Sequence, residues 1–422
     1  MAALRRRLCI VIGGPGTGKT RTAAIALTLL AEHLGEKRPR IALAAPTGKA
    51  AARLSSSLAD ILEQLDLQPA TRKDLQIPAV TLHRLLGAIP GETQFRYHAD
   101  HPLPLDLLVV DEASMIDLPM MAKLLDALHP EAKLILLGDR DQLASVEAGH
   151  VLGDICAATG SALHACVTEL KTNHRFRVDS GIHQLATSVK AGNLAETLRL
   201  LGSQSPDLSA STLPDRTAEA LEAPLIEGWR GVILAPTPAE ALERMGDFRM
   251  LCALKEGPQG VAYLNRVAEH VLATAGLIAP GGGNYAGRPV LILRNDYQLK
   301  LFNGDLGVLR LNEHGELRAY FPGDDGTPRS FAPARLPEHD TAYAMTIHKA
   351  QGSEFGKVLV VLPASDHPIV SRELIYTAVT RARREIELWW SESSLPAALA
   401  RQVVRWSGLR ERFQIGAQPA VG

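Results

Sequence analysis

The segment GGPGTGKT, from Gly13 to Thr20, has the residue types and the spacing to bind phosphate. It fits the pattern G-x-x-x-x-G-K-[ST], in which glycines let the backbone turn tightly and direct its N–H groups inward. Lys19 is expected to reach the β- and γ-phosphates of ATP, and Thr20 to place a hydroxyl on Mg²⁺. The residues expected around the phosphates are Gly13, Gly14, Pro15, Gly16, Thr17, Gly18, Lys19, Thr20 and Arg21. The alternative, a glycine-rich turn without a ligand, is disfavoured by the complete match.

A pair of carboxylates, Asp111 and Glu112, follows the apolar run LLVV. Asp111 is expected to hold Mg²⁺, and Glu112 to orient or deprotonate the attacking water. Such a pair alone could be a solvated strand end, but downstream of a phosphate loop it indicates hydrolysis. Asp139 and Gln142 end another run, LLGDRDQL, where the amide of Gln142 could contact a γ-phosphate or its water. Gln142 could instead bond to the loop backbone.

Two arginines are candidates to neutralise charge that develops on the γ-phosphoryl oxygens. Arg175 lies in the segment NHRF and Arg381 in YTAVTRARR. Either could instead form a surface ion pair, the commoner fate of an arginine.

Alternating apolar runs and helical patterns must position these groups. The predicted strands of the first domain are Leu8 to Ile12, Ile41 to Ala45, Leu107 to Val110 and Leu134 to Leu137. This alternation is typical of a doubly wound α/β domain, whose parallel sheet binds ligands at the carboxyl ends of its strands. The predicted first domain spans residues 1–171, with an excursion at about 88–105 that contains a short hairpin.

A second α/β domain is predicted over residues 172–422. Its helices include Gly181 to Ala191, and its predicted strands are 231–235, 289–293, 358–362 and 385–389. Residues 295–340 are rich in turn signals, which suggests a small inserted β-barrel. Asn303-Gly304-Asp305 is expected to form a turn of that insertion. The tail after Ser394 is expected to hold a terminal helix.

Composition limits the classes of protein to consider. Hydrophobic residues make up 46% and charged residues 22% of the 422 residues, which is typical of a globular chain. A net charge of −1 means that any nucleic-acid surface must be a local groove. The four cysteines form no C-x-x-C pair, which disfavours a zinc site and a disulfide framework and fits a cytoplasmic protein. No apolar run approaches the ~20 residues that span a bilayer.

The motifs also resemble a known family. GGPGTGKT, APTGKAAARL, TLHRLLG, VVDEASMIDLPMM, GDRDQLASVEAG, NHRF, NDYQLKLFNGDLG, AMTIHKAQGSEF and YTAVTRAR occur in the order of superfamily 1 helicases. Within that superfamily the sequence is most similar to the RecD helicases, the alpha subunits of exodeoxyribonuclease V. ASMIDLPMM, GDRDQLASVEAGHVLGDIC and RLPEHDTAYAMTIHKAQGSEF carry this likeness, which covers essentially the whole chain.

The resemblance implies an ATP-dependent 5′ to 3′ DNA helicase or translocase, a subunit of a RecBCD-type complex in double-strand break repair and recombination. Its partners would be single-stranded and duplex DNA ends and the RecB and RecC subunits, with no membrane. It also implies two RecA-like P-loop domains with ATP in the cleft between them, and an SH3-like β insertion in the second. Two alternatives remain: a stand-alone RecD-like helicase, and a non-catalytic assembly subunit.

The same resemblance implies roles for individual residues. Lys19, Asp111, Glu112, Gln142, Arg175 and Arg381 would act in hydrolysis, and Glu354 would hold the ribose. DNA phosphates would be contacted, on loops facing away from the ATP edge, by Thr47, Lys49, Arg53, Thr81, His83, Thr346, His348 and Lys349. Hydroxyls and cations suit phosphate contacts, which read no base sequence. His83 and His348 could instead be structural hydrogen bonders.

The resemblance also sets two expectations for the amino terminus. Members of the family carry a docking domain and an adenine-contacting glutamine before the phosphate loop. This sequence is expected to lack both. A nuclease site is not expected, because no further cluster of carboxylates and lysine suits a catalytic metal.

Overall fold

A computed structural model describes residues 6–34, 39–89, 91–144, 149–158, 163–177, 179–279, 282–323, 326–403 and 407–415. The chain divides into two compact units. Unit 1 comprises residues 1–177 and 404–422, and unit 2 comprises residues 178–403. The boundary thus follows residue 177, whereas the sequence indicated residue 171, and the last segment of the chain belongs to unit 1.

The strands of both units have the following bounds. They are β1 (Leu8–Ile12), β2 (Ile41–Ala45), β3 (Val80–Thr81), β4 (Leu107–Val110), β5 (Lys133–Gly138), β6 (Val167–Glu169), β7 (Leu208–Thr212), β8 (Phe248–Cys252), β9 (Pro289–Ile292), β10 (Leu306–Leu311), β11 (Leu317–Phe321), β12 (Arg329–Phe331), β13 (His339–Thr341), β14 (Ala344–Thr346), β15 (Phe355–Val361) and β16 (Ala382–Trp390).

The helices lie between these strands. They are α1 (Lys19–Leu34), α2 (Gly48–Gln64), α3 (Pro69–Leu75), α4 (Leu82–Leu86), α5 (Leu118–Asp126), α6 (Val151–Ala157), α7 (Gly181–Ala191), α8 (Leu194–Leu201), α9 (Thr217–Ala220), α10 (Glu222–Ile233), α11 (Pro238–Arg244), α12 (Val261–Thr274), α13 (Arg372–Val379), α14 (Ser394–Ala400) and α15 (Leu409–Ile415). None of them, within the described residues, combines the length and the apolar character needed to cross a bilayer.

Unit 1 is built on a parallel sheet with the order β3-β2-β4-β5-β1-β6. Successive side chains of a strand point to opposite faces, so a strand covered by helices on both faces must be apolar throughout. In β1, Ile10 and Ile12 lie in one core and Cys9 and Val11 in the other. The four strands predicted for the first domain are confirmed, and β5 extends one residue further at each end.

The excursion before β4 makes a tight reversal. Isolated antiparallel bridges join Ala88 to Phe95 and His98 to His101, and among the described residues of the excursion they do not extend into a ladder. Lys123 anchors it from α5, because its ammonium donates to the carbonyl of Thr93 at 2.8 Å. Residue 90, inside the predicted excursion, lies outside the described residues.

Unit 2 is built on a second parallel sheet, ordered β14-β8-β15-β16-β7. The predicted helix from Gly181 to Ala191 is confirmed with the same bounds, and β9, β15 and β16 confirm three predicted strands. The predicted strand at 231–235 is wrong, because α10 occupies Glu222–Ile233. Its run of apolar residues is the end of a helix whose buried face repeats at Leu225, Trp229 and Val232.

An antiparallel sheet interrupts unit 2 between residues 289 and 341. Its order is β12-β11-β10-β9-β13, and Val290, Ile292, Leu309 and Phe321 fill its small core. The inserted β structure predicted for 295–340 is therefore present and begins at β9. Its likeness to an SH3 domain stays a prediction, and residues 324–325 lie outside the described part of the chain.

The last described helix, α15, belongs to unit 1. Leu409 and Phe413 pack against the core that holds Ile10, and Ser407 donates to Asp154 of α6 at 2.5 Å. The predicted second domain, 172–422, therefore differs from the structure in its final segment. The reason is that α15 has an apolar face, and this face is buried against the core of unit 1.

Candidate nucleotide and nucleic-acid sites

The phosphate loop connects β1 to α1 at the carboxyl edge of the sheet in unit 1. Gly16 and Gly18 have φ of 78° and 84°, the left-handed region that glycine occupies without strain. A Cβ on Gly13 would lie 2.5 Å from the hydroxyl of Thr17 and 2.9 Å from the carbonyl of Leu170. Glycine is therefore required at these three positions for the loop to close.

Lys19 folds back over this loop. Its ammonium donates to the carbonyl oxygens of Gly13 at 2.7 Å and Gly14 at 3.0 Å. Thr20 follows in the first turn of α1, partly buried, and Arg21 is exposed. The positive end of the helix dipole and the lysine charge thus lie at the same place, an arrangement that favours a polyphosphate.

The segment Asn173 to Phe176 holds the outer side of the loop. The Asn173 amide donates to the carbonyl of Pro15 at 3.0 Å, and the His174 N–H donates to the carbonyl of Gly16 at 2.8 Å. The Asn173 side-chain oxygen accepts from the N–H groups of Arg175 and Phe176. Sequence reasoning named Arg175 and missed Asn173, although both belong to the segment NHRF.

Asp111 and Glu112 follow β4. Burial, and then the charge of Glu112, raises the pKa of Asp111 from 3.8 to about 6, and the charges of Lys19 and Arg53 oppose this rise. Asp111 accepts from the Glu112 N–H at 2.8 Å. Glu112 has φ of 52°, a left-handed conformation that is rare for a residue with a side chain. Such local strain is common at functional sites and fits the proposed role of this pair.

Asp139 and Gln142 follow β5. Both are buried, with 1% and 5% of their surface exposed. The Gln142 amide donates to one Asp139 oxygen at 3.1 Å, and the Asp141 N–H donates to the other at 3.1 Å. Gln142 also bonds the loop backbone, but through its main-chain N–H, which donates to the Asp139 carbonyl at 3.3 Å. Its side-chain amide bonds the Asp139 carboxylate instead.

The sheet order brings these groups together. β4, β5 and β1 are neighbours and all run parallel, so Asp111, Asp139 and the phosphate loop follow three adjacent carboxyl ends. This is the edge at which parallel sheets bind ligands. The residues present fit a nucleotide with Mg²⁺, since they include a cation, a hydroxyl and a carboxylate that ionises near neutral pH.

The nucleic-acid candidates of unit 1 lie at the same edge. Thr47 follows β2, and Thr81 ends β3, so the expectation that these loops face away from the ATP edge is wrong for unit 1. The reason is topological, because all the strands of this sheet run in one direction. Both hydroxyls cap helices: Thr47 accepts from the Ala50 N–H and Thr81 from the Arg84 N–H.

The other candidates of unit 1 lie on the helices that follow. Lys49 and Arg53 belong to α2, and the charge of Arg53 acts on Asp111. His83 lies on α4 with its ring edge-on to Phe95, 5.8 Å between ring centroids.

The ribose candidate Glu354 and the hydrolysis candidate Arg381 lie at the amino edge of the parallel sheet in unit 2. Glu354 immediately precedes β15, and Arg381 immediately precedes β16. Arg381 is 1% exposed, and its guanidinium donates to the carbonyls of Thr377 at 3.1 Å and Ser353 at 3.2 Å. The alternative of a surface ion pair is therefore wrong for Arg381.

Thr346 is the last residue of β14, and His348 and Lys349 follow its carboxyl end. The Thr346 hydroxyl accepts from the Lys349 N–H at 3.2 Å. The Lys349 ammonium donates to the side-chain oxygen of Asn303 at 2.8 Å. Asn303 belongs to the predicted turn of the inserted sheet, where Gly304 has φ of 97°, so that turn is confirmed and has a long-range partner.

Several known proteins are similar to this chain in sequence and in fold. The AAA domain family matches residues 1–148, and the UvrD-like helicase C-terminal domain family matches 341–388. "RecBCD enzyme subunit RecD" of Mycobacterium tuberculosis is 44% identical over 417 residues, which are 98% of this chain and 72% of that protein. Its counterpart in Haemophilus influenzae is 35% identical, covering 96% and 70%. "ATP-dependent RecD2 DNA helicase" of Deinococcus radiodurans is 34% identical, covering 97% and 50%.

A solved structure adds a likeness of fold. Pif1 helicase from Bacteroides, in complex with ADP-AlF3 and ssDNA, has a TM-score of 0.52 at 17% identity and covers 98% of this chain and 94% of its own. The predicted α/β class with two RecA-like units is therefore confirmed.

Proposed function

The chain belongs to the RecD family, and we propose that it is an ATP-driven 5′ to 3′ DNA helicase that works as a subunit of a RecBCD-type complex. The observation that carries the proposal is the shared edge of unit 1, where the phosphate loop, Lys19 and an ionisable Asp111 meet. Its cellular task would be the processing of DNA ends in double-strand break repair and recombination.

Hydrolysis would begin with the chain's own charges around the triphosphate. Lys19 would exchange the carbonyls of Gly13 and Gly14 for β- and γ-phosphate oxygens, gaining an anion in place of two neutral acceptors. Thr20 and Asp111 would hold Mg²⁺, which neutralises phosphate charge when bound. Glu112 would orient the attacking water and accept its proton.

Three further side chains would respond to the γ-phosphate. Gln142 would sense its presence, since its amide is already held at the edge by Asp139. Arg175, fixed beside the loop by Asn173, and Arg381 would stabilise charge in the transition state. Glu354 would hold the ribose.

DNA would be held through its phosphates. In unit 1 the contacts would come from Thr47, Lys49, Arg53, Thr81 and His83, and in unit 2 from Thr346, His348 and Lys349. Such contacts do not depend on base sequence, as translocation requires. Because the charge of Arg53 acts on Asp111, Arg53 would connect the DNA contacts to the ATPase centre.

The identities favour a complex subunit over a stand-alone enzyme. Relatives named as RecBCD subunits reach 44%, whereas the relative named as a RecD2 helicase reaches 34%. We therefore propose partners equivalent to RecB and RecC. A non-catalytic role is disfavoured, because Lys19, Asp111 and Glu112 retain the groups that hydrolysis needs.

The test is strand separation by the purified chain with ATP and Mg²⁺. Duplexes with a 5′ or a 3′ single-stranded tail are compared, with Lys19→Ala as the matched control. We expect unwinding of the 5′-tailed duplex and none by the variant, which keeps its fold because Lys19 serves charge rather than core packing. Equal unwinding by Lys19→Ala would refute the assignment, and preference for the 3′ tail would refute the polarity.

A further inference from the structure

Two cysteines lie on neighbouring strands of unit 1. The register of β1 and β6 pairs Ile10 with Val167, and Cys9 and Cys166 are the residues immediately before that pair. β1 also contacts the short turn at His164–Cys166, which leads into β6. Both cysteines are thiols in this structure. The sheet of unit 1 therefore brings together two thiols that are far apart in the sequence.

The spacing of the two strands suits a bond between the sulfur atoms. Neighbouring strands of a sheet lie about 4.8 Å apart, and a disulfide needs Cα atoms about 4.4 to 6.8 Å apart. Burial raises the pKa of the Cys9 thiol, and the charge of Cys166 adds to this rise, as expected for two sulfurs that lie close together. Bond formation therefore requires rotation of side chains rather than movement of the strands.

The two thiols differ in reactivity. Cys166 is partly exposed, and the Arg6 guanidinium donates to its sulfur at 3.6 Å. A cation beside a sulfur favours the thiolate, which is the species that attacks a peroxide. Cys9 is 4% exposed, so an oxidant reaches it poorly. Cys166 is therefore the thiol that reacts first, and Cys9 is the thiol that can react with the product.

The other two cysteines of the chain provide an internal comparison. Cys156 on α6 and Cys252 at the end of β8 are both buried. Burial raises the pKa of Cys156 to about 11 and that of Cys252 to about 12. Buried thiols of this kind are inert. Both should stay reduced under conditions in which Cys166 is oxidised.

We propose that Cys9 and Cys166 form a site of reversible oxidation, at which hydrogen peroxide produces a disulfide. The Cys166 thiolate attacks one peroxide oxygen, which gives a sulfenic acid and releases hydroxide. The Cys9 sulfur then attacks the sulfenic sulfur, so that the S–S bond forms, the S–O bond breaks, and the oxygen leaves as water with the Cys9 proton. The hydroxide takes up the proton that Cys166 had lost. Each sulfur loses one electron, and one peroxide is reduced to two waters.

The bond would attach an edge strand to its sheet. β6 has three residues, stands last in the sheet order and pairs with β1. The chain beyond β6 reaches the phosphate loop, where the Leu170 N–H donates to the Ile12 carbonyl at 2.8 Å and the Asn173 amide donates to the Pro15 carbonyl at 3.0 Å. Oxidation therefore restrains the strand that leads to the outer side of this loop. It does not depend on the proposed helicase function.

The test is oxidation of the reduced, purified chain with hydrogen peroxide at low protein concentration. The remaining thiols are alkylated with iodoacetamide in guanidinium chloride, and the chain is digested without reduction for mass spectrometry. Chymotrypsin is added to trypsin because it can cut after Leu163, which separates Cys156 from Cys166. We expect two peptides joined through Cys9 and Cys166, lighter by two hydrogens than their sum. Cys156 and Cys252 should be alkylated.

A pair of variants and a second measurement extend the test. Peroxide should leave Cys9 available for alkylation in Cys166→Ala, whereas Cys156→Ala, the matched control, should still form the disulfide. Circular dichroism verifies that both variants are folded. In the unsubstituted chain, hydrogen exchange of β6 should slow by at least about tenfold on oxidation, and dithiothreitol should reverse this change.

Different outcomes overturn different claims. Alkylation of all four cysteines after peroxide would refute the oxidation site. So would a sulfinic acid at Cys166 beside an alkylated Cys9, a disulfide that joins two copies of the chain through Cys166, or loss of the disulfide in Cys156→Ala. A disulfide between Cys9 and Cys166 that leaves the exchange of β6 unchanged would refute the restraint on the edge strand, while the oxidation site stands.

Discussion

Asp111→Asn should stabilise the nucleotide-free chain while abolishing ATP hydrolysis. The pKa of Asp111 is raised from 3.8 to about 6, chiefly by burial. One pKa unit corresponds to about 1.4 kcal/mol, so the ionised carboxylate costs the folded state about 3 kcal/mol at neutral pH. Asparagine has no charge to bury, and its side-chain oxygen can still accept from the Glu112 N–H.

The pH dependence gives this prediction its sign. Folded Asp111 binds its proton more tightly than the unfolded chain does, so stability falls as pH rises from about 4 to about 6. The advantage of Asp111→Asn should be about 3 kcal/mol at pH 7.5 and about 1 kcal/mol at pH 4.5. Mg²⁺ would stabilise only the unsubstituted chain and mask the effect, so EDTA is present throughout.

Hydrogen exchange of peptides from β4 is the suitable assay. The two units can unfold separately, and three of the four tryptophans, Trp229, Trp389 and Trp390, lie in unit 2, so tryptophan fluorescence would report mainly on the wrong unit. A gain of about 3 kcal/mol corresponds to a rise of about a hundredfold in protection. Asp66→Asn, at an exposed position of unit 1, is the control. Protection of β4 in Asp111→Asn that is unchanged at pH 7.5, or that rises equally at pH 4.5 and pH 7.5, would show that burial of the Asp111 charge does not destabilise unit 1.

Two further substitutions test the ATPase centre. Arg381→Lys keeps the positive charge but loses the planar guanidinium, so kcat for ATP hydrolysis should fall by on the order of 10²-fold or more. The affinity for an oligonucleotide should not change. A kcat within threefold of that of the unsubstituted chain would contradict the role of Arg381. Gly16→Ala should abolish hydrolysis, because Gly16 has φ of 78° and its Cβ would lie 2.4 Å from the Cβ of Arg175. Gly91→Ala is the matched control, since Gly91 has φ of 85° with nothing within 4 Å of the added atom. Hydrolysis by Gly16→Ala equal to that of Gly91→Ala would contradict the prediction.

Local patterns predicted much of unit 1. The phosphate loop is contiguous, and the strand before it is apolar throughout because helices cover both of its faces. A sequence window therefore contains all the information that β1 and the loop require. The same holds for α7, whose bounds were predicted, because Ser180 caps its first turn and Gly192 ends it in a left-handed conformation.

Long-range contacts explain what the sequence did not predict. β8 was missed because Arg249 interrupts its apolar pattern. In the fold this arginine is fully buried, 5.0 Å from the ring centroids of both Trp229 and Phe355, and it donates to the carbonyls of Met245 and Ala342. Burial lowers the pKa of Arg249 to about 9. A charge can be placed in a strand core only when such partners exist, and they are distant in sequence.

In the candidate sites, too, local motifs predicted some features and long-range contacts determine the others. Lys19, Asp111 and Glu112 could be assigned because motif spacing determines their chemistry. The effect of Arg53 on Asp111 and the bond between Lys349 and Asn303 depend on which chain segments meet, which no motif contains.

The proposed function requires that this chain convert ATP hydrolysis into movement on DNA. The most direct measurement is ATP hydrolysis by the purified chain with and without single-stranded DNA, beside Lys19→Ala. We expect hydrolysis that single-stranded DNA stimulates and that the variant lacks. A folded chain whose hydrolysis is unaffected by DNA, or persists in Lys19→Ala, would contradict it.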